Sequence, residues 1–229
     1  MQYSAAIDLS GQEAGFAVTE LDSAKLVINA TRPMSGRTSA GLTNWALDLL
    51  KSTNINLDKV KQWTVGSGPG SFTGMRLAAG LVSGITYGKN NIQTRCVPTA
   101  IAIAATISKN NNENIAVLFD GRNHEILVYG VNFRNGQLQP NNNTAILTAA
   151  SAEKYFREND YTRFAALVAD REAIEKVTPA AIAAQTVYIE HVPTEKLLAE
   201  AYRKFDNDLT DLVYIRPAVH TDSHAAGKS

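Results

Sequence analysis

The sequence has little cysteine and little histidine. Cys96 is the single cysteine, and none of the four histidines precedes His124. One thiol excludes an internal disulfide and suits a reducing compartment. The stretch from Thr94 to Pro98 is typical of the end of a buried strand. We therefore interpret Cys96 as a structural thiol and not a reactive one.

The chain also lacks an excess of charge of either sign and any long apolar run. Lys plus Arg and Asp plus Glu number 22 each, so the formal net charge is zero. A protein that binds RNA alone usually carries a basic excess, because phosphate neutralisation supplies most of the affinity. No stretch approaches the roughly 18 apolar residues of a membrane span, and residues 1–7 lack the features of a signal peptide. We expect a soluble, cytoplasmic protein with no membrane partner.

What is present is an ordinary globular composition, with 45% hydrophobic and 19% charged residues in a chain of 229. This length suits one large domain or two modest ones. Hydrophobic periodicity predicts strands and helices in alternation over the first half. The predicted strands are 3–9, 15–19, 25–30, 62–65 and 92–97, and the predicted helices are 39–52, 75–87 and 98–108.

The same pattern begins again after the polar run 109–114. The predicted strands are 115–119, 125–132, a weak one at 137–139, 164–169 and 187–189, with helices at 150–158 and 194–204 and a short one between the last two strands. The two openings correspond, because Ile7-Asp8 and Phe119-Asp120 each end an apolar strand. A repeated β-β-β-α-β-α order predicts two similar α/β domains with a cleft between them. A single α/β domain with a hairpin at each end is the alternative.

A glycine-rich loop lies between the predicted strand 62–65 and the helix that follows. Gly66, Gly68, Gly70 and Gly74 occur within it, and Ser71 or Thr73 can cap the helix. Free backbone N–H groups at a helix N-terminus form a candidate phosphate cradle, and Arg76 is one turn further on. The loop matches neither of the common nucleotide-binding glycine motifs in full. A tight turn without a ligand is therefore an equal alternative.

Small residues recur along the helix that follows the loop. Gly80, Gly84 and Gly88 are spaced four residues apart, with Ala79 and Ser83 beside them. A glycine inside a helix costs about 0.5–1 kcal/mol relative to alanine, so several of them need an offsetting gain. Close approach of another backbone supplies such a gain. That backbone belongs either to this chain or to another subunit.

Four segments together resemble the TsaB (YeaZ) family. Residues 68–76 (Gly-Pro-Gly-Ser-Phe-Thr-Gly-Met-Arg) resemble its Gly-Pro-Gly-Ser-Phe-Thr-Gly-hydrophobic-Arg signature. Residues 7–10 are similar to its opening Ile-Asp-Thr-Ser, and residues 119–126 resemble its second-domain Ile-Asp-Ala-Arg-x-x-Glu-Val segment. Tyr214-Ile215-Arg216 is similar to the Tyr-Leu-Arg near its C-terminus.

The resemblance implies an actin/Hsp70-like (ASKHA) fold of two duplicated domains. Residues 1–98 would form an N-terminal domain with partner-binding helices, and residues 99–229 a C-terminal domain with a loose polar tail. The implied function is a non-catalytic scaffold or dimerisation subunit of the bacterial complex that installs threonylcarbamoyl on the adenosine next to the tRNA anticodon. The implied partners are a TsaD-like catalytic subunit, a TsaE-like ATPase through the complex, tRNA indirectly, and a second copy when the chain is alone.

The resemblance also implies which residues to examine. The candidate partner interface comprises Arg76, Gly80, Ser83, Gly84, Tyr87 and Gly88. The candidate cofactor-binding residues are Asp8, Ser10, Gly68, Gly70, Ser71 and Thr73, although we expect no intrinsic cofactor, and ATP or ADP is a candidate ligand only at the level of the complex. Asp8 and Asp120 occupy places where actin-like ATPases hold metal and phosphate, but each can cap its own turn, which we favour.

We expect neither catalytic nor metal-binding residues in the chain itself. The catalytic paralogue in this family builds its metal site around a His-x-x-x-His pair in its first domain. The one such spacing here, His220 to His224, lies in the polar C-terminal tail, and we interpret it as chance. The alternatives are a stand-alone actin-like ATPase or kinase that uses Asp8, the 68–74 loop and Asp120, or a glycoprotease-like peptidase.

Overall fold

The computed structural model describes residues 1–34, 41–199 and 204–215. The first half contains β1 (Tyr3–Asp8), β2 (Glu13–Glu20), β3 (Leu26–Pro33), α1 (Leu42–Ser52), β4 (Val60–Gly66), α2 (Phe72–Thr86), β5 (Gln93–Val97) and α3 (Thr99–Ile107). The second half contains β6 (Glu113–Arg122), β7 (Glu125–Arg134), β8 (Gln137–Thr148), α4 (Ala149–Glu158), β9 (Arg163–Leu167), α5 (Arg171–Val177), α6 (Ala180–Gln185) and β10 (Thr186–Ile189). Short 3₁₀ helices occupy Leu57–Lys59, Val168–Asp170 and Thr194–Leu198. Within these described ranges, no helix combines the length and apolar character needed to cross a membrane.

The two halves have the same sheet topology. The described strands form two five-stranded sheets, ordered β3-β2-β1-β4-β5 and β8-β7-β6-β9-β10. In each sheet an antiparallel meander of three strands is extended by two parallel strands. The duplicated order of strands that the sequence predicts is therefore confirmed.

The two sheets enclose a shared central layer. Along β1, Ala5 and Ile7 contribute to the core beneath α1 and α2, whereas Ala6, on the opposite face, belongs to a second core. That second core contains α3 and residues of both sheets, including Val117 of β6. Leu197 of the 3₁₀ helix Thr194–Leu198 joins it from the second half. The elements that follow each sheet thus pack between the sheets and hold the two halves together.

The local predictions hold best where the apolar pattern is strong. The predicted apolar face of α1 packs into the first core, although Ser39 and Ala40 lie outside the described residues. The helix after the glycine-rich loop begins at Phe72, earlier than predicted, because Ser71 is its N-cap and accepts a hydrogen bond from the Gly74 amide at 3.2 Å. Cys96 is fully buried on β5, in agreement with its interpretation as a structural thiol.

Two predicted elements differ from the structure. The weak strand at 137–139 is part of a twelve-residue strand, β8, because pairing with β7 overrides the low strand propensity of Pro140 and the asparagines that follow it. The predicted helix 194–204 is wrong in its described part, which is a 3₁₀ helix that ends at Leu198. The Arg95 guanidinium donates hydrogen bonds to the Leu197 and Ala199 carbonyls, which an α-helix would use for its own backbone hydrogen bonds.

Replacement of Ile103 tests whether the central layer joins the two halves. Ile103 lies on α3 and is fully buried among residues of both sheets. Ile103→Ala should lower the free energy of unfolding by about 2–5 kcal/mol, because it leaves a cavity, and both halves should still unfold in one transition. Ile146→Ala, at an exposed site on β8, is the matched control and should change stability by less than about 0.5 kcal/mol. Separate transitions for the two halves in chemical denaturation would contradict this account.

Candidate functional site

The glycine-rich loop lies directly against the turn between β1 and β2. A Cβ atom on Gly70 would lie 2.3 Å from the Ser10 carbonyl oxygen, and one on Gly74 would lie 1.8 Å from the Leu9 carbonyl oxygen. Both distances are shorter than any side chain tolerates, so the close approach of the two backbones requires glycine. The Ser71 amide then donates to the Ser10 carbonyl at 2.6 Å. The loop is thus a closely packed joint between β4, α2 and the first hairpin.

A buried carboxylate organises this joint. Asp8 ends β1 and is fully buried. Its Oδ1 accepts hydrogen bonds from the Ser10 amide and hydroxyl at 2.8 and 2.7 Å, and its Oδ2 accepts one from the Thr99 hydroxyl at 2.5 Å. Thr99 Oγ1 in turn accepts a hydrogen bond from the Gly68 amide at 3.1 Å. One side chain therefore connects β1, the glycine-rich loop and the first residue of α3, and it caps its own turn as the sequence favours.

Burial has an electrostatic consequence for Asp8. Removal of the carboxyl group from water raises its pKa above the usual value, while the hydrogen bonds from Thr99 and Ser10 act in the opposite direction. The nearest glycine, Gly66, has no room for a side chain, since its Cβ would lie 1.9 Å from Asp8 Oδ2. The site is therefore built to hold this carboxylate inside the protein, away from solvent.

The phosphate cradle that the loop suggested is largely occupied by protein groups. The amides of Gly68, Ser71 and Gly74 donate to Thr99 Oγ1, the Ser10 carbonyl and Ser71 Oγ, respectively. Of the candidate cofactor-binding residues, Thr73 is exposed, whereas Asp8 and Ser10 are buried. The geometry supports a structural turn at this position. The assignment of these residues to a cofactor stays a prediction.

The described residues also form a cleft between the two halves. It encloses about 260 Å³, and its lining includes Gly11 and Glu13 from the first half and Ala169 and His191 from the second. His191 Nδ1 contacts Glu13 Oε2 and links the two walls. This is the cleft that the duplicated order predicts.

Asp120 lies away from this cleft and has its own partners. Asp120 is exposed, and its Oδ1 accepts a hydrogen bond from the Arg122 amide at 2.7 Å, so it too caps a turn. It lines a separate cavity of about 290 Å³ beside α5, and Asp8 lines neither cavity. Within the described ranges, no three His, Cys, Asp or Glu side chains come together in a way that could hold a metal ion. His220 and His224 lie outside those ranges.

The outer face of α2 is open. Met75, Ala78, Ala79 and Val82 face the core, and Arg76, Gly80, Ser83 and Gly84 are exposed on the other side. A Cβ atom at Gly80 or Gly84 would meet nothing within 4 Å. Gly80, Ser83 and Gly84 thus form a small-residue ridge, and the described part of this chain does not cover it at Gly80 or Gly84.

Gly88 and Tyr87 lie beyond the helix and not inside it. The helix ends at Thr86, and Gly88 has a φ of +71°, which is the left-handed conformation that glycine supplies after helix ends. Its presence is explained by helix termination. Tyr87 is 88% exposed, so it extends the outer face of α2 at its C-terminal end.

Sequence reasoning missed several residues that matter here. It assigned no role to Thr99, which supplies the hydrogen bond to Asp8 from the start of α3, or to Arg95, which is buried on β5. Phe72 and Tyr214 were quoted only as parts of motifs, yet their rings pack together with centroids 5.1 Å apart. The single available signal was the resemblance of their motifs to those of one family. Arg216, the last residue of the C-terminal motif, lies outside the described residues.

Two sheets of identical strand order that share a central layer define a duplicated α/β protein of the actin-like (ASKHA) class. Residues 35–153, more than half of the chain, match the model of the family TsaD: tRNA N6-adenosine threonylcarbamoyltransferase. The tRNA threonylcarbamoyladenosine biosynthesis protein TsaB of Haemophilus influenzae is 32% identical over 83 residues, which are 34% of this chain and 34% of that protein. The chain belongs to this threonylcarbamoyltransferase family, and its curated relative is a TsaB protein.

Solved structures agree with this placement at the level of fold. YeaZ from Pseudomonas aeruginosa has a TM-score of 0.65 at 21% sequence identity, with 86% of this chain and 89% of that chain covered. A second structure, described as an uncharacterized protein with similarity to peptidase YEAZ from Pseudomonas aeruginosa, has a TM-score of 0.66 at the same identity and coverage. The sequence alignment to the curated relative spans about a third of that protein, whereas the structural likeness extends over most of both chains.

The burial of Asp8 predicts a specific pH dependence of stability. Since its pKa is raised in the folded state, the folded protein binds more protons than the unfolded chain between about pH 3.9 and the raised pKa. The free energy of unfolding should therefore fall as pH rises through that window. Asp8→Asn should remove this component, as measured by denaturant titrations at several pH values.

Thr99→Val supplies an independent check that the pKa of Asp8 is raised in the folded protein. The Thr99 hydrogen bond lowers the Asp8 pKa, so its loss should raise the pKa further and extend the window towards higher pH. If wild type and Asp8→Asn show the same pH dependence, the carboxylate does not experience the buried environment described above.

Proposed function

We propose that this chain is a non-catalytic scaffold subunit that pairs with a TsaD-like catalytic subunit through the outer face of α2. The complex would install threonylcarbamoyl on the adenosine next to the tRNA anticodon. The observation that carries the proposal is the open space above Gly80 and Gly84, where an added Cβ meets nothing within 4 Å. These two glycines serve no packing need within the described part of the chain.

The energetic argument follows from helix propensity. Gly80 and Gly84 lie inside α2, where each costs about 0.5–1 kcal/mol relative to alanine. An internal contact would offset that cost, but none is present at either position among the described residues. A bare ridge of this kind lets the backbone of a second helix approach closely. The offsetting gain is then an intermolecular contact.

The residues around the ridge have the composition of a protein interface. Eight large hydrophobic side chains are exposed in the described ranges, and four of them, Phe72, Leu77, Tyr87 and Tyr214, lie on α2, directly after it or against its first turn. Arg76 lies among them. Aromatic residues and arginine are enriched in interfaces relative to the remaining surface, and concentrated apolar exposure marks interaction sites.

The relatives support the choice of pathway and partner. The curated relative is named a threonylcarbamoyladenosine biosynthesis protein, and the matching family model describes a threonylcarbamoyltransferase. The wider proposal includes a TsaE-like ATPase and tRNA as partners of the complex, and a homodimer of this chain when the catalytic subunit is absent.

Gly84→Leu is the direct test of the docking face. The leucine side chain has free space in the isolated chain, so the fold should persist, but it occupies the ridge and should weaken pairing at least about tenfold. Pairing with the TsaD-like subunit of the same organism is measured by calorimetric titration. Gly84→Ala should stabilise the isolated chain by about 0.5–1 kcal/mol.

Ala150→Leu is the matched control, because it adds a leucine at an exposed position near the start of α4 in the second half. It should leave pairing unchanged. Wild-type affinity in Gly84→Leu, with normal folding by circular dichroism, would overturn the proposed function.

A further inference from the structure

Two motifs far apart in the sequence meet on the surface at the start of α2. The guanidinium of Arg76 lies 3.9 Å from the centroid of the Phe72 ring, and Arg76 Nε donates a long hydrogen bond of 3.5 Å to the Tyr214 hydroxyl. The rings of Phe72 and Tyr214 are 5.1 Å apart. We call these three residues the α2 aromatic cluster. It joins the glycine-loop motif to the C-terminal motif.

The segment 204–215 brings Tyr214 to this cluster without forming a helix or strand. Two hydrogen bonds of 2.9 Å join Asn207 to the backbone of Thr94. The Asn207 backbone amide donates to the Thr94 carbonyl, and the Thr94 amide donates to Asn207 Oδ1. The Val213 amide donates to the Ser67 carbonyl at 2.9 Å. We call residues 204–215 the C-terminal strap, because it runs from β5 to the start of the glycine-rich loop.

Arg95 anchors the chain that leads into this strap. It is 1% exposed, its Nη2 donates to the Leu197 and Ala199 carbonyls at 3.2 and 3.3 Å, and its guanidinium lies 4.4 Å from the Phe205 ring centroid. Its Nε donates to Thr64 Oγ1 at 3.1 Å. A buried guanidinium is costly unless hydrogen bonds satisfy it. Here a buried charge in the first half contacts the backbone before residues 200–203 and the Phe205 side chain after them.

We propose that the C-terminal strap completes the docking surface for the TsaD-like subunit, with Tyr214 as a contact residue and Arg95 as the residue that positions the strap. This inference rests on the proposed function, because it extends the ridge of Gly80 and Gly84 towards the start of the same helix. The occupant is therefore the same partner subunit.

The α2 aromatic cluster is exposed, and this distinguishes a strap that docks a partner from one that only stabilises the fold. A strap that only sealed the fold would turn its aromatic residue towards the core, as the strap does with Leu209 and Leu212, which are partly buried against the first core. Tyr214 instead remains 42% exposed and Phe72 37% exposed, and both contact the Arg76 side chain. Aromatic and arginine side chains grouped in this way are typical of the residues that contribute most to protein–protein affinity.

Tyr214→Ala in the full chain tests the contact role. It should weaken pairing with the TsaD-like subunit by about tenfold or more, while the free energy of unfolding changes little because the side chain is half exposed. Tyr214→Phe, which keeps the ring against Phe72, should restore most of the affinity. Val187→Ala, at an exposed apolar site on β10, is the matched control and should pair as wild type does.

Arg95→Leu tests whether Arg95 positions the strap. The measurement is hydrogen exchange of the strap amides, which loss of a contact residue such as Tyr214 would not change. The substitution should increase hydrogen exchange at the Asn207 and Val213 amides and weaken pairing as Tyr214→Ala does. If Arg95→Leu does not fold, Asn207→Ala loosens the strap without disturbing a buried charge, and the same two measurements apply.

The outcomes distinguish this inference from the function on which it rests. If Tyr214→Ala pairs normally while Gly84→Leu does not, the strap is outside the docking surface and only this inference is overturned. If Gly84→Leu also pairs normally, the proposed function is overturned. If the loosened strap exchanges faster but pairing is unchanged, the strap is a brace of the fold and the inference is wrong.

Discussion

The structure of the first half depends on one buried carboxylate. Asp8 has no exposed surface, and each of its oxygens is held by hydroxyl or amide donors from a different part of the chain. Because an unpaired buried charge is very costly, the turn after β1, the glycine-rich loop and the start of α3 must all be correctly placed for the fold to form. The glycines of the loop follow from this arrangement, since side chains at Gly66 or Gly74 would displace the carboxylate or the backbone beside it.

This constraint also engages part of the motif that resembles a phosphate cradle. The Ser71 amide donates to the Ser10 carbonyl in the hairpin turn, and the Gly68 amide donates to Thr99 at the start of α3. The loop consequently fixes where α2 begins and which of its faces points outward. Its inner face is apolar and buried, and its outer face consists of small residues framed by aromatic side chains. The closely packed joint and the open ridge are therefore two consequences of the same packing.

Much of the fold could be predicted from the sequence, and the reason is physical. Apolar periodicity reports which face of an element is buried, and it is strong in β1, α1 and β6, where prediction and structure agree. It fails where long-range contacts outweigh local preference. Pairing with β7 forms a strand through Pro140, and the Arg95 guanidinium competes for the carbonyls that a helix after Thr194 would need. A glycine-rich turn has one sequence pattern for two different uses, so the sequence could not decide between a cofactor site and a packed turn, and the assignment of the candidate cofactor residues stays a prediction.

The sequence by itself determined the repeated order of strands and helices, an N-cap at Ser71 or Thr73, the turn caps at Asp8 and Asp120, and the family, because these depend on neighbours within a few residues or on a contiguous motif. Only the tertiary structure decided that Gly80 and Gly84 are uncovered, that Gly88 ends the helix, and that Tyr214 reaches Arg76 across the surface. Periodicity states that a face is small or apolar, but what covers that face is set by residues far away in the chain.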